Sequence, residues 1–350
     1  MITGGQSAVP IGYLPHSSDL SRPVDRRRFP RYAEMRGLAF DLVSDWGTYR
    51  TVVLSTTADI TQWVTAPGDC RVIVDLPDSF LDEGWSPKRA ARGLAKWVGG
   101  EVGRPILSYR RAMQRMLERA DAVVCSTDDQ AERITPHNAN VHPILDLHGE
   151  FECLSPVAHE SRRLDLVWEG LTATLPAVEA ILPALRSVAR ELEVRLHLVT
   201  DLESPRYMNK FLLRRTENLV ADWGIEVELH QWGIKTLTEV SRRCGIAIVP
   251  VDLTDPMAVG KPENRMRIFW RLGVPVVASA SPANVRAASL AGLDKRTLCS
   301  TNSDWENTLK RLHALPEERI TVASAGQEVA LTAYSEESLA CRWDRLFDSL

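Results

Sequence analysis

The sequence has little cysteine and no long hydrophobic run, and its charges nearly balance. Its six cysteines are dispersed, with no CxxC pair and no spacing to histidine typical of zinc sites. This dispersal also argues against a secreted disulfide framework. No stretch reaches the roughly 18 apolar residues of a membrane span, and the N-terminus lacks a basic region followed by an apolar run. Because the net charge is only −4, bulk electrostatics do not favour nucleic-acid binding. We therefore expect a cytoplasmic protein that binds no nucleic acid.

The length of 350 residues favours two domains. Both halves alternate apolar strand patterns, such as Arg71–Asp75, with amphipathic helical patterns. This alternation is typical of βαβ units and predicts an α/β protein with parallel sheets. Residues 138–160 have little periodicity and mark the junction. We predict domains at 1–150 and 151–330, followed by a C-terminal helix at 331–350.

The second half contains three clear strand patterns and two long helical patterns. Strands are predicted at Val194–Thr200, Ile225–Trp232 and Ile246–Val251, and helices at Pro176–Glu193 and Tyr207–Trp223. Open parallel sheets bind ligands at the carboxyl ends of their strands. The loops that follow these strands are therefore expected to carry binding residues.

The segment Val259–Ser281 carries the clearest signal for a ligand. It predicts a helix over Pro262–Leu272, because proline suits a first helical turn, and a left-handed Gly273 that ends this helix. The unpaired N–H groups of a helix N-terminus attract phosphate, and Lys261 and Arg265 add positive charge there. We interpret the segment as an anion site. The alternative is an ordinary surface helix with a charged first turn.

A basic amphipathic stretch lies in the first half. Residues 88–119 contain nine basic and two acidic residues, interleaved with apolar ones such as Leu94 and Trp97. This pattern is compatible with peripheral contact between the protein and an anionic membrane surface, at the inner face of the membrane. The alternative, which the pattern slightly favours, is a pair of helices packed on the sheet with a solvated basic face.

Four segments of the second half share one pattern with a known family. They are DLVWEG at 165–170, ELHQW at 228–232, GIAIVPVD at 245–252 and KPENRMRIFWRLGVPVVAS at 261–279. These segments resemble the GT-B glycosyltransferases, and within them the family 4, or group 1, enzymes. The C-terminal YSEESLACRWDRLFDSL is similar to the closing helix of that family. The resemblance covers nearly the whole chain and is specific in the second half.

The resemblance implies two Rossmann-like βαβ domains in the GT-B architecture, with a C-terminal helix that crosses back to the N-terminal domain. It implies a hexosyltransferase-like activity of the kind used in polysaccharide biosynthesis. The donor would be a nucleotide sugar acting as co-substrate, with no other cofactor. The acceptor would be a glycan, a lipid-linked compound or a small molecule, bound on the N-terminal side.

The resemblance also implies which residues bind the donor, and these are Gly170, Trp232, Lys261, Glu263, Asn264 and Arg265. Gly170 would let the first loop approach the diphosphate without a Cβ in the way. Trp232 would flank the nucleobase. Lys261 and Arg265 would act in catalysis by balancing the charge of the leaving diphosphate. Glu263 or Asn264 would bind ribose or sugar hydroxyls.

The sequence departs from this family at a pair of glutamates that many retaining members carry around the donor loop. Counted back from Gly273, their positions fall on Gly260 and Ile268. Two other functions therefore stay open. One is a nucleotide-sugar epimerase of the same fold, and the other is a catalytically silent GT-B module that binds a partner or a glycan.

The acceptor side needs its own candidates. Asp75 and Asp78 follow a strand of the first domain and are our candidates for a catalytic base, although Asp78 could instead cap a turn. His16 is a weaker candidate for acceptor or phosphate contact. We expect no metal site, because no Asp-x-Asp motif stands in a suitable place. His197 and His230 lie on predicted strands and are expected to be packed there.

Overall fold

The computed structural model describes residues 11–82, 87–100, 102–157, 161–206 and 209–350. Residues 1–10 of the predicted first domain and Glu101 of the basic stretch lie outside this part. The chain divides into two units by its contacts. The first unit contains the described residues up to Leu147 with Gly260–Pro262 and Glu336–Leu350, and the second contains those of His148–Val259 and Glu263–Ser335. Lys261 is thus counted with the first unit and Arg265 with the second.

The first unit is built on a parallel β-sheet. Its described strands are β1 (Ile11–Leu14), β2 (Phe40–Leu42), β3 (Thr51–Leu54), β4 (Arg71–Leu76), β5 (Ala122–Cys125) and β6 (Val141–Pro143). The helices between them are α1 (Pro23–Arg26), α2 (Phe29–Arg36), α3 (Ile60–Trp63), α4 (Pro87–Val98), α5 (Tyr109–Arg119) and α6 (Asp128–Ile134). The strand order is β2–β1–β3–β4–β5–β6. The central strands β4 and β5 are apolar and buried on both faces, as parallel sheets covered by helices require.

The basic stretch forms two helices that differ in burial. Helix α5 buries Met113, Met116 and Leu117 in the core of the first unit. Helix α4 instead leaves Leu94 and Trp97 43% and 44% exposed. The predicted helical pair is therefore present, and among the side chains that the structure describes, those of the second helix form the buried apolar face. None of the described helices is both long enough and apolar enough to cross a membrane.

The second unit repeats the arrangement with a second parallel sheet. Its described strands are β7 (Leu164–Glu169), β8 (Val194–Thr200), β9 (Glu203–Arg206), β10 (Asn209–Arg215), β11 (Glu226–Gln231), β12 (Ile246–Val249), β13 (Val276–Ser279) and β14 (Leu298–Cys299). Its helices are α7 (Leu175–Glu179), α8 (Leu182–Ala189), α9 (Glu217–Val220), α10 (Ile234–Ser241), α11 (Pro256–Val259), α12 (Asn264–Arg271), α13 (Pro282–Leu290), α14 (Asp294–Thr297), α15 (Asn302–Ala314) and α16 (Pro316–Leu331). The sheet order is β11–β8–β7–β12–β13–β14, which makes β11 an edge strand.

Two predicted helices of this unit differ from the structure. The helix predicted at Pro176–Glu193 is divided into α7 and α8, because Pro183 in the first turn of α8 cannot continue a preceding helix. The helix predicted at Tyr207–Trp223 is wrong over its first half. Its described residues from Asn209 to Arg215 form β10, which pairs antiparallel with β9. Of the described residues in this range, the short α9 is helical. The backbone N–H and C=O groups of β10 form their hydrogen bonds with β9 instead of within a helix.

The central segment forms the predicted helix and turn. Helix α12 begins at Asn264, two residues later than predicted, and buries Met266, Phe269 and Trp270. Gly273 has a φ of 69°, which confirms the left-handed residue. The N–H of Val274 donates to the carbonyl of Phe269 at 3.0 Å and closes the helix end. A side chain at position 273 would also meet the carbonyl oxygen of Leu154 at 2.4 Å.

The C-terminal helix α17 (Glu336–Asp348) belongs to the first unit, which confirms that the chain returns to its N-terminal part. It packs on α2, where the ring of Tyr32 stacks on Trp343 at 5.5 Å and on Phe347 at 5.6 Å. Arg36 pairs with Asp344 of α17 at 2.8 Å. The contact therefore combines an aromatic stack with an ion pair.

Candidate functional site

The carboxyl end of β7 carries a cluster of polar side chains in the second unit. We call Glu169, Thr174, Trp232 and Arg265 the Arg265 cluster. Trp232 follows β11, and its indole Nε1–H donates to Oε2 of Glu169 at 3.2 Å. Arg265 donates from Nη2 to Oγ1 of Thr174 at 3.0 Å, and its Nε lies 3.7 Å from Oε1 of Glu169. The fold thus brings the predicted Trp232 and Arg265 together around one carboxylate.

Gly170 is tightly packed within the same region. A Cβ at this position would lie 2.7 Å from Cζ2 of Trp168 and 2.8 Å from Nη2 of Arg265. Diphosphate binding beside this glycine stays a prediction, and in the structure two side chains occupy the space that a Cβ would take. The glycine therefore lets Trp168 and Arg265 approach the end of β7.

Arg265 combines a partly exposed side chain with an aromatic neighbour. Its side chain is 25% exposed, and the guanidinium carbon lies 5.5 Å from the centre of the Trp168 ring. Burial lowers the pKa of Arg265, and the nearby charge of Glu169 opposes this shift. An arginine stays protonated at neutral pH even so. The cluster therefore presents a cation held in place by a carboxylate, a hydroxyl and an aromatic face.

The two hydroxyl-binding candidates beside Arg265 have different environments. Glu263 is buried, and its carboxylate accepts from the hydroxyl of Tyr334 at 2.7 Å and from Nη2 of Arg286 at 2.8 Å. Asn264 is partly exposed, and its Oδ1 accepts from Nη1 of Arg267 at 3.2 Å. Sugar binding by either residue stays a prediction. The buried pairing of Glu263 favours a structural role, so Asn264 is the better placed of the two.

Lys261 lies beside the predicted base Asp78 in the first unit. The carbonyl of Gly260 accepts from Oγ of Ser79 and from Nε2 of Gln130, each at 3.1 Å, and this holds the lysine's backbone at the carboxyl ends of β4 and β5. Burial raises the pKa of Asp78, and the charge of Lys261 opposes the shift. The first unit therefore brings one predicted carboxylate and one predicted cation together.

Asp75, the other predicted base, is part of a buried ion pair. Nε of Arg28 donates to both carboxylate oxygens of Asp75 at 3.0 Å, and Nη1 of Arg28 lies 3.2 Å from Oδ1 of Asp146. Burial raises the pKa of Asp75, while Arg28 opposes the shift. A catalytic role for Asp75 stays a prediction. Its environment argues against that role, because a base needs access to its substrate and Asp75 is sealed behind Arg28.

His16 is held in the loop after β1. Its backbone N–H donates to Oδ1 of the buried Asp25 at 2.7 Å, and its Nδ1 lies 3.0 Å from Oγ1 of Thr56. The imidazole is exposed at the carboxyl end of the first sheet. This position is compatible with the predicted acceptor contact.

Comparison of the sequence with protein-family models and with curated proteins gave no match. Solved structures do match. HepE from Anabaena, crystallised with UDP-glucose, is 12% identical, with 97% of this chain and 100% of HepE covered at a TM-score of 0.64. WaaG, a glycosyltransferase involved in lipopolysaccharide biosynthesis, is 14% identical, with 94% and 98% covered at a TM-score of 0.57. TarM is 12% identical with a TM-score of 0.59, and this chain covers 54% of it, about half its length.

These matches establish the architecture. Two parallel six-stranded sheets with helices are found in the described residues, and the structural matches extend over nearly the whole chain. The chain therefore has the GT-B fold, with two Rossmann-like units, that the sequence resemblance implies. The relatives share the fold at sequence identities of 10% to 15%.

The sequence analysis missed several residues around these sites. Glu169 and Thr174 position Arg265, although neither was a candidate. Glu169 directly precedes the glycine turn in DLVWEG, and a carboxylate at the end of an apolar strand is the signal that could have identified it. The expectation of no metal site also left out three side chains that lie close together in the described part of the chain, those of His197, Glu228 and His230.

Proposed function

We propose that this protein is a glycosyltransferase that moves a sugar of the hexose type from a nucleotide-sugar donor to an acceptor. The acceptor would be a glycan, a lipid-linked compound or a small molecule. The Arg265 cluster carries the proposal, because it places a fixed cation and an indole at the carboxyl ends of two parallel strands. This is where open α/β sheets bind nucleotides. The match to HepE, which was crystallised with UDP-glucose, supports a nucleotide-sugar donor.

The chemistry of the transfer requires positive charge near the leaving group. Glycosyl transfer passes through an oxocarbenium-like state while the diphosphate departs with added negative charge. In this proposal Lys261 and Arg265 meet that charge without a metal ion, and the N–H groups at the start of α12 assist them. Removing one preorganised donor of this kind typically costs about 3–4 kcal/mol of transition-state stabilisation. Trp232 would flank the base, and Asn264 would bind a hydroxyl.

Asp78 is the preferred acceptor-side base. It is partly exposed and its pKa is raised by burial, which brings a carboxylate closer to the working range of a general base. The base acts when deprotonated, so kcat/KM should fall as the pH drops through this raised pKa. Asp78→Asn should lower kcat while leaving donor affinity unchanged, as measured by initial rates and calorimetry. A variant with unchanged kcat would remove Asp78 from the mechanism.

A binding module without catalysis is the second candidate. Position 268, where many retaining relatives carry the second glutamate of their pair, is a buried isoleucine in the apolar face of α12. The carbonyl of residue 260, at the other position, is held by Ser79 and Gln130. The absence of a glutamate at both positions favours a protein that binds a nucleotide or a glycan and transfers nothing.

A double variant tests the donor site. Lys261→Ala with Arg265→Ala should abolish binding of UDP and UDP-glucose in isothermal titration calorimetry. The matched control is Lys235→Ala with Arg242→Ala, which removes the same charge from exposed positions of the second unit. Unchanged affinity in the first double variant would refute the site. Diphosphates of other nucleosides are tested in parallel, because the fold does not determine which nucleobase the donor carries.

Product formation separates the two candidate functions. A transferase releases free nucleoside diphosphate faster when an acceptor is added, and this release should disappear in the first double variant. Nucleotide binding without release in the presence of an acceptor panel would favour the binding module. Sugar interconversion without an acceptor would instead indicate an epimerase.

Helix α4 supports a peripheral membrane contact. Its exposed Leu94 and Trp97 share a helix with four basic residues, so apolar contact and attraction to anionic lipid could act together. We expect the protein to sediment together with phosphatidylglycerol vesicles, less so at high salt, and not to sediment with phosphatidylcholine vesicles. Leu94→Ser with Trp97→Ser should abolish it, whereas Leu290→Ser, at an exposed leucine of the second unit, should not. Equal sedimentation of all variants would refute the contact.

A further inference from the structure

The edge of the second sheet groups two histidines and a glutamate on one face. His197 lies on β8, and Glu228 and His230 lie two residues apart on β11. The strand register places Glu228 directly beside His197. Since alternate residues of a strand point to the same face, all three side chains project from one side of the sheet. We call these three residues the His–Glu cluster.

The distances within the His–Glu cluster match those between zinc ligands. Nδ1 of His197 lies 3.1 Å from Nε2 of His230 and 3.5 Å from Oε2 of Glu228. Oε1 of Glu228 lies 3.4 Å from Nε2 of His230. Ligand atoms about 2.0–2.1 Å from a tetrahedral zinc ion are about 3.3–3.4 Å apart. The three groups therefore need only small rotations to converge on one ion.

A second carboxylate orients the first histidine. Oδ1 of Asp165, on β7, lies 3.3 Å from Nε2 of His197, which is the ring nitrogen turned away from the cluster. Arg163 in turn donates from Nε to Oδ1 of Asp165 at 2.9 Å. Histidine ligands of metals commonly donate their other N–H to a carboxylate in this way. When Nε2 of His197 carries the proton, its Nδ1 has a lone pair directed at Glu228 and His230.

The alternative is a hydrogen-bonded group without a metal, in which Arg195 lies near the carboxylate, with its Nη1 3.6 Å from Oε2 of Glu228. With the Asp165 contact in place, Nδ1 of His197 and the carboxylate of Glu228 are both acceptors. With Arg195 near the carboxylate, the Nε2–H of the neutral His230 is the proton that lies between the two imidazoles, whose Nδ1 and Nε2 atoms are 3.1 Å apart. A divalent cation between them would bind Nδ1 of His197, the carboxylate of Glu228 and the deprotonated Nε2 of His230 at once.

We propose that His197, Glu228 and His230 bind a divalent transition-metal ion, with zinc as the best match. Two imidazoles and one carboxylate suit zinc, whereas magnesium prefers oxygen ligands alone. The side chain of His197 is 5% exposed and that of Glu228 is 41% exposed, so the ion would be reached from the Glu228 side. Three protein ligands leave a fourth position for water. The ion would fasten the edge strand β11 to β8, and this site is independent of the proposed transferase activity.

Metal binding to the full chain tests the proposal directly. Protein stripped with a chelator should take up one equivalent of Zn²⁺ and gain several degrees in Tm, because a ligand specific to the folded state stabilises it. Mg²⁺ should give no such shift. Co²⁺ in the same site should show the intense visible absorption of a tetrahedral complex. A weak octahedral spectrum, or no uptake of zinc, would overturn the site.

Single variants locate the binding. Glu228→Gln changes a half-exposed side chain and should leave the fold intact while it weakens zinc binding at least about tenfold, and His230→Ala should abolish it. Asp165→Asn should weaken binding by about 10–100-fold through the orientation of His197. His313→Ala, at a partly buried histidine elsewhere in the second unit, is the matched control. The assignment would be refuted if Glu228→Gln, His313→Ala and the unchanged protein all bound zinc with the same affinity.

Discussion

Replacing Gly170 with alanine would place a methyl group 2.7 Å from Cζ2 of Trp168 and 2.8 Å from Nη2 of Arg265. The long side chain of Arg265 can shift, but it then loses its contacts with Thr174 and Glu169. Trp168 cannot, because its indole is fully buried and belongs to β7, which has a strand on either side. Adding a methyl group to a filled site typically costs about 1–3 kcal/mol. For a unit of 150–250 residues each kcal/mol lowers Tm by about 2–4 °C. We therefore expect Gly170→Ala to melt several degrees below the unchanged protein.

Thermal unfolding followed by circular dichroism measures this effect, and Gly245→Ala is the matched control. A Cβ at Gly245, also in the second unit, would find its nearest neighbour at 3.9 Å, so that variant should unfold at nearly the same temperature. The displaced Arg265 should also weaken nucleotide binding in Gly170→Ala. Equal stability of the two variants would show that Trp168 does not fill the space beside Gly170 and would refute the packing argument.

Three further predictions concern packing and charge. Gly326→Ala would bring a Cβ within 2.4 Å of the buried Trp270, and we expect a net loss of about 1–2 kcal/mol in urea unfolding even though alanine favours the helix. Asp75→Asn removes one of the two carboxylates that pair with the buried Arg28 and leaves Asp146 at 3.2 Å, so it should destabilise the protein in the same assay by less than the about 3–5 kcal/mol of a fully unpaired buried charge, whereas a purely catalytic residue would leave stability unchanged. The hydrogen bond from Arg36 lowers the pKa of Asp344, so its stabilisation is present above the ordinary aspartate pKa and is lost as the pH falls through the lowered value. Arg36→Met should therefore destabilise the protein more at pH 7 than at pH 3, and an equal loss at both would contradict the ion pair.

Local sequence patterns predicted those features of the fold that depend only on residues close together in the chain. The apolar core of β4 and the left-handed Gly273 follow from side-chain patterning and from backbone freedom over a few positions. The order of these elements along the chain predicted two parallel sheets, and the resemblance of four segments to a known family implied the GT-B architecture. Where local pattern misled, at Asn209–Arg215, the pairing partner β9 decided the outcome. Backbone pairing between strands is not encoded by helical periodicity, so the sequence alone favoured the wrong element there.

The tertiary structure alone decided which side chains meet. Asp75 has the chemistry of a base, yet Arg28, which lies 47 positions earlier in the chain, makes it part of a buried ion pair. Glu169 and Trp232 are brought together across 63 positions, and His197 and His230 across 33. Such contacts depend on strand order and register, and a shift of one residue would turn a side chain to the opposite face of the sheet. The residue types could be read from the sequence, but their partners, and therefore their protonation and charge, are set by the fold.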